Sequence, residues 1–333
     1  MRFGQVPVTE AAGHVLAHSV QLPRGRLRKG TILSAANTAD LRSAGWEQIT
    51  VARLDPGEVA ENAAAARLAA AIVPDPAAMG LRLSEAFTGR VNLLVEGPGL
   101  ACIDVEKVNA VNRVFPMITL ATVPRWQRMD PGHMVATVKI ISYAVPGESL
   151  ASACVEAPGA VRLQPPVLTE AVLIETLVGR DPGDKGWRMT QARLDRLNTA
   201  LAPRVTVPHA VEPLTDAIAA RTEPLILILT GSATSDPHDI APEALRRAGG
   251  TVERFGMPVD PGNLLFLGYL EGRTVIGLPG SARSPALSGI DWVLERVICG
   301  VAPTADEIAG MGVGGLLKEI PTRPQPRSGR AAD

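Results

Sequence analysis

Pro224-Leu-Ile-Leu-Ile-Leu-Thr230 runs directly into Gly231-Ser-Ala-Thr-Ser-Asp-Pro-His-Asp239, and this junction decides the fold. Five successive aliphatic residues without polar alternation predict a strand covered on both faces, as in a parallel sheet. A Gly-led polar loop and a helix at 242–248 follow. Working outward, residues 171–177, 205–207, 252–257, 264–269 and 274–277 read as further strands. Residues 189–202, 211–221 and 285–300 read as helices, with Met189, Leu194, Leu197 and Leu201 roughly on one face of the first. An apolar run at 135–142 reads as the opening strand. Alternation of strands and helices from residue 134 predicts an α/β domain over 134–303 with a doubly wound, mostly parallel sheet.

In such a sheet ligands bind outside the carboxyl ends of the strands. Two strand-to-helix loops stand there. The first offers Gly231, Ser232, Ala233, Thr234 and Ser235, whose backbone amides and hydroxyls suit a phosphate beside the positive end of the next helix. Its last residue, Asp239, is also placed to cap that helix. The second loop is Gly277-Leu-Pro-Gly-Ser-Ala-Arg-Ser-Pro285. Pro279 and Gly280 make a tight turn, Ser281 and Ser284 present donors, and the planar fork of Arg283 matches phosphate oxygens. A surface ion pair is the alternative role for Arg283. A third loop, Pro258-Val-Asp-Pro-Gly-Asn263, contributes Gly262 and Asn263.

The remainder reads as a smaller N-terminal α+β region: a lobe at 1–73, a second small lobe at 74–133, and a Pro/Arg-rich, partly loose extension at 304–333. Ser34 is a plausible N-cap for a helix that ends at Gly45. Residues 48–54 read as a strand, and 58–72 as an Ala-rich helix broken by Pro74 and Pro76. With 33 Lys and Arg against 34 Asp and Glu the net charge is −1, which argues against a nucleic-acid-binding surface. Arg24, Arg26, Arg28 and Lys29 read as a solvated turn before a strand. Cys102, Cys154 and Cys299 have no CxxC spacing and read as small buried hydrophobes. His209 and His238 lack ligand-spaced partners. A signal peptide is not evident, and no apolar run approaches 18 residues, so the expected location is the cytoplasm.

The order of apolar strand, Gly-rich loop ending in Asp239, Glu243-Ala-Leu, Gly249-Gly250, Asp260-Pro-Gly262 and Gly277-Leu-Pro-Gly280 resembles the molybdopterin-binding domain. That domain is shared by molybdopterin adenylyltransferases and molybdenum insertases. Residues 135–142 with Pro146-Gly-Glu148 resemble its opening strand and Thr-Gly-Asp-Glu turn. Phe255-Gly-Met-Pro-Val-Asp-Pro-Gly-Asn263 and Met311-Gly-Val-Gly-Gly-Leu-Leu317 resemble the form fused to cytidylyltransferase-like domains. The resemblance implies a molybdopterin ligand, a homo-oligomer, and Mg²⁺ held by Asp239 and Glu148. Departures are definite. Ser232 stands where the family has a second Gly, Asp260 and Asn263 where it has lysines, and Gly147 where it has Asp.

The resemblance leaves three functions open. The first is a molybdopterin-binding protein of cofactor maturation or delivery. The second is an active nucleotidyltransferase or molybdenum insertase. The third is a non-catalytic partner module for a cytidylyltransferase or a molybdoenzyme.

Overall fold

The computed structural model describes residues 1–179 and 183–317 and shows a mixed α/β protein of two compact units. The first comprises residues 1–97 and 101–164, the second 98–100 and everything from 165 onward. Among the described residues no helix is long and apolar enough to cross a membrane. Residues 318–333, which hold most of the predicted loose extension, lie outside the described part.

In the first unit, Arg2–Pro7, Gln48–Arg53 and Val15–Leu16 form a three-stranded antiparallel sheet. Ser34 and Asn37 form a capping box that starts helix Ala35–Ser43, and Gly45 follows its end at φ +86°. A four-stranded antiparallel sheet runs in the order Ile118–Thr122, Met134–Ile140, Arg90–Val95, Leu81–Leu83. Helix Glu61–Ile72 buries Ala64, Ala65, Leu68, Ala69 and Ile72 in the same core.

This arrangement moves the expected domain boundary from 133/134 to 164/165. Residues 135–142 do not open the parallel sheet, because strand Met134–Ile140 is hydrogen-bonded on both sides within the first unit. Its pattern carries the reason. From Ala136 on, Ala136, Val138 and Ile140 are buried while Thr137 and Lys139 are only partly covered, which is the alternation of an antiparallel strand with one wetter face.

The second unit is built on a seven-stranded sheet. Glu170–Leu177, Leu225–Leu229 and Arg273–Leu278 lie side by side and parallel, with Ala200–Leu201 and Val205–Pro208 parallel to the first. Every residue of Leu225–Leu229 is buried. Ile226 and Ile228 pack with Val172 and Ile174 against Leu214 and Ile218 of helix Val211–Ala219, and against Ala244 and Leu245 of helix Ile240–Arg247. The far edge departs from the mostly parallel expectation. Phe266–Leu270 pairs antiparallel with both Arg273–Leu278 and Thr251–Phe255. Only Glu271 and Gly272 separate the first two strands, at φ +48° and +80°. A two-residue link with both residues in that region makes a hairpin, and a parallel crossover needs a dozen residues or more.

Two helices are shorter than their periodicity suggests. The expected helix at 189–202 is Lys185–Asp195, and Leu201 instead joins strand Ala200–Leu201. The expected helix at 285–300 is Gly289–Ile298, started by a capping box between Ser288 and Asp291. Residues 304–317 are tied down rather than loose. Helix Ala305–Ala309 follows Thr304, and Asp260 exchanges backbone hydrogen bonds with Gly315 and Leu317. Of the three cysteines only Cys299 is fully buried, and burial pushes its thiol up to about 12.

Candidate functional site

Three loops of the second unit are tied together at the carboxyl ends of the parallel strands. Arg283 Nη2 donates to the Thr230 carbonyl at 3.0 Å, which joins the 279–284 turn to the start of the 231–239 loop. Ser281 and Ser288 share a hydroxyl contact of 3.0 Å, and Ser288 Oγ donates to the Pro261 carbonyl at 3.0 Å. Those bonds join the 279–284 turn to the third loop. Residues 280–283 form a single 3₁₀ turn, with Pro279 buried before it and Gly280 exposed. Ser284 and Arg283 are half-buried.

The 231–239 loop divides into two parts. Ser232 and Ala233 are exposed and Thr234 is buried, its hydroxyl 3.2 Å from that of Thr230. Among the described residues, the N–H groups of Ser232, Ala233 and Thr234 have no protein acceptor. Three successive donors at a strand's carboxyl end are suited to a ligand's oxygens. The other part is self-satisfied. Asp239 accepts from Ile240 N at 2.7 Å through Oδ1 and from Ser235 N at 3.1 Å through Oδ2. The helix N-terminus expected to face a phosphate is therefore capped by the protein's own carboxylate.

Asp239 and Glu148 are the two carboxylates expected to hold Mg²⁺. Both oxygens of Asp239 already hold backbone donors, and Glu148 lies in the first unit, in the first turn of helix Gly147–Glu156. Neither unit by itself contains both carboxylates, so within either unit alone the pair makes no site for the ion. Gly262 is structural too. It is buried at φ +139°, and a Cβ there would stand 2.8 Å from the amide nitrogen of Gly289. Asn263 is exposed, and its Nδ2 donates to the Met257 carbonyl at 3.3 Å.

Three buried side chains in or beside these loops, Arg193, Glu175 and Thr176, carry no mark in the sequence reading above. Arg193, 7% exposed, donates to Asp291 Oδ1, the Ala282 carbonyl and the Ser284 carbonyl, each at 2.8 Å. It fixes the turn that carries Arg283. Glu175 is buried in strand Glu170–Leu177 and accepts from Arg204 Nε at 2.5 Å through Oε2. Its Oε1 has no hydrogen-bond partner among the described residues. A charged residue inside an otherwise apolar strand was the signal available for Glu175. Thr176 accepts from Gly231 N at 2.9 Å and lies 2.7 Å from His209 Nδ1.

Gly231 is required by close approach. A Cβ there would meet the Thr176 carbonyl at 2.7 Å and Val178 N at 3.0 Å, both backbone atoms that cannot swing aside. Gly231→Ala should lose about 1–3 kcal/mol of stability in denaturant titration, the usual overpacking range. Wild-type stability in that variant would show that the loop yields freely.

The family described as "Domain of unknown function (DUF8806)" matches residues 5–53, inside the first unit. No curated protein matches the chain. Among solved structures, a molybdopterin biosynthesis MoeA protein from Pyrococcus horikosii aligns at 12% identity and TM-score 0.32, covering 90% of this chain and 75% of that one. A molybdenum cofactor biosynthesis protein from Pyrococcus furiosus aligns at 13% identity and TM-score 0.26, covering 90% and 64%.

Proposed function

We propose that the second unit is a doubly wound domain of the molybdopterin-binding type, and that the chain binds molybdopterin during maturation or delivery of the cofactor. The observation that carries this reading is the run of three unaccepted amides at Ser232, Ala233 and Thr234, beside a loop that holds Arg283. The order of sequence motifs from Gly231 to Gly280 supports the pterin as the group behind the phosphate. Gly231–Ser235 would take the terminal phosphate. Arg283, whose Nη2 is held by Thr230, would add a charge-assisted contact through its remaining N–H groups. The net charge of −1 supplies no general attraction, so affinity rests on these local donors.

Binding rather than turnover is the reading favoured here, because the carboxylate expected to work with Mg²⁺ is engaged as a cap. The test is molybdopterin affinity by calorimetry or pterin fluorescence. Ser232→Leu should block approach to the amides, and Arg283→Ala should weaken binding roughly ten- to a hundredfold. Wild type that binds no pterin, or two variants that bind as tightly as wild type, would sink the reading. Product formation from molybdopterin with Mg²⁺ and ATP, CTP or molybdate would replace it with a transferase or insertase.

A further inference from the structure

We infer that His209 is a ligand-binding residue of this site, a neutral imidazole that presents its Nε2–H to an oxygen of a phosphate-bearing ligand. Thr176 is the positioning residue that fixes its tautomer. The inference rests on the reading of the 231–239 loop as an anion site, and it extends that site to a strand end that no sequence motif marks.

Thr176 is 1% exposed, so its hydroxyl is buried. A buried hydroxyl needs an acceptor for its single hydrogen within the protein. Its oxygen already accepts from Gly231 N at 2.9 Å. Among the described residues its one other hydrogen-bond partner, and the one able to accept, is His209 Nδ1, at 2.7 Å. Thr176 therefore donates to Nδ1, which must carry a lone pair, and the ring proton sits on Nε2. Gly231 N–H, Thr176 O–H and His209 form one chain of donors.

The placement is set by the fold. Thr176 lies next to the carboxyl end of strand Glu170–Leu177, and His209 immediately follows strand Val205–Pro208, its register neighbour. The backbone N–H of His209 donates to the Leu177 carbonyl at 3.0 Å, which pins the residue to that edge. The ring is only partly buried, and among the described residues Nε2 makes no hydrogen bond. The same hydroxyl thus anchors the first residue of the anion loop and orients an imidazole beside it. A polar side chain held in one tautomer, with its second nitrogen uncommitted, is the usual arrangement of a binding or catalytic histidine. Among the described residues no carboxylate is hydrogen-bonded to the ring, and the arrangement suits donation to an anion more than proton abstraction.

The experiment has two readouts on the full chain. Long-range ¹H–¹⁵N NMR of the imidazoles, with the His209 signals assigned through His209→Gln, should place the proton on Nε2. Thr176→Ser should keep that tautomer, and Thr176→Val should turn it into a mixture. A wild-type proton on Nδ1 overturns the inference. Calorimetric titration then uses two probes, molybdopterin and inorganic phosphate, with wild type, His209→Ala and His209→Gln. His209→Ala should weaken binding about tenfold or more, and His209→Gln, which keeps a donor near the Nε2 position, should recover most of it. Wild type that binds molybdopterin while His209→Ala binds equally well overturns the inference and leaves the functional reading standing. Wild type that binds phosphate but not molybdopterin, with the loss in His209→Ala, supports the donor role and overturns the pterin. Binding of neither probe overturns both.

Discussion

Arg193→Ala is expected to cost on the order of 3–5 kcal/mol, because it strands a buried carboxylate. Arg193 and Asp291 are 7% and 3% exposed, and their side chains meet at 2.8 Å across 98 residues of sequence. Asp291 also accepts from Ser288 N at 2.8 Å, so it starts helix Gly289–Ile298 while it neutralises the arginine. Removing the guanidinium leaves that charge in an apolar setting and frees the carbonyls of Ala282 and Ser284. Arg193→Lys should recover only part of the loss, since one ammonium cannot reproduce a fork that reaches three acceptors in different directions. The paired change Arg193→Met with Asp291→Leu should be far milder than either single change, because no charge is left unpaired. Denaturant titration of these variants and of the two single changes of the pair measures this directly. A loss below about 1 kcal/mol in Arg193→Ala would mean that the pair is solvated and does not hold the turn.

The strand that ends at Thr230 was legible because its physics is one-dimensional. Five aliphatic residues in a row have few stable settings, and a Gly-led loop after them marks the carboxyl end of a buried strand. The hairpin at Glu271-Gly272 was equally local, yet strand–helix alternation along the domain does not mark its antiparallel pairing at the sheet's edge. Strand Met134–Ile140 was misplaced for the opposite reason. Its apolar content resembles that of a doubly covered strand, and only the alternation at Thr137 and Lys139 separates it as a strand with one wetter face. The misplacement carried Glu148 with it. Asp239 was legible as a cap and as a ligand, and the structure gives both of its oxygens to the backbone. Arg193 was out of reach. A basic residue on an amphipathic helix reads as solvated, and nothing near it in sequence announces Asp291. Thr176 and His209 are 33 residues apart and meet only because their strands are parallel neighbours.

Truncation of the central strand should be costly on both of its faces. Ile228 is fully buried, opposite Ile174 on one side and Gly277 on the other, and it belongs to the core formed with Phe266 and the helices Val211–Ala219 and Ile240–Arg247. Leu227 is fully buried too, and strand alternation points it to the opposite face. Ile228→Ala and Leu227→Ala should each cost about 2–4 kcal/mol, from lost burial plus a cavity that a central strand cannot close by shifting. A strand bonded to parallel partners on both sides has little freedom to move toward the gap. The comparison between the two variants carries more than either value. In a sheet with one solvated face, one truncation would be expensive and the other nearly neutral. Equal penalties would come from helices covering both faces. Chemical denaturation of the two single variants and of the double decides it, and near-additive losses are expected, because the two side chains lie on opposite faces and share few neighbours. A cost below about 0.5 kcal/mol for either would put this segment at an edge, and the loop that follows it would then lose the rigid base on which the candidate site depends.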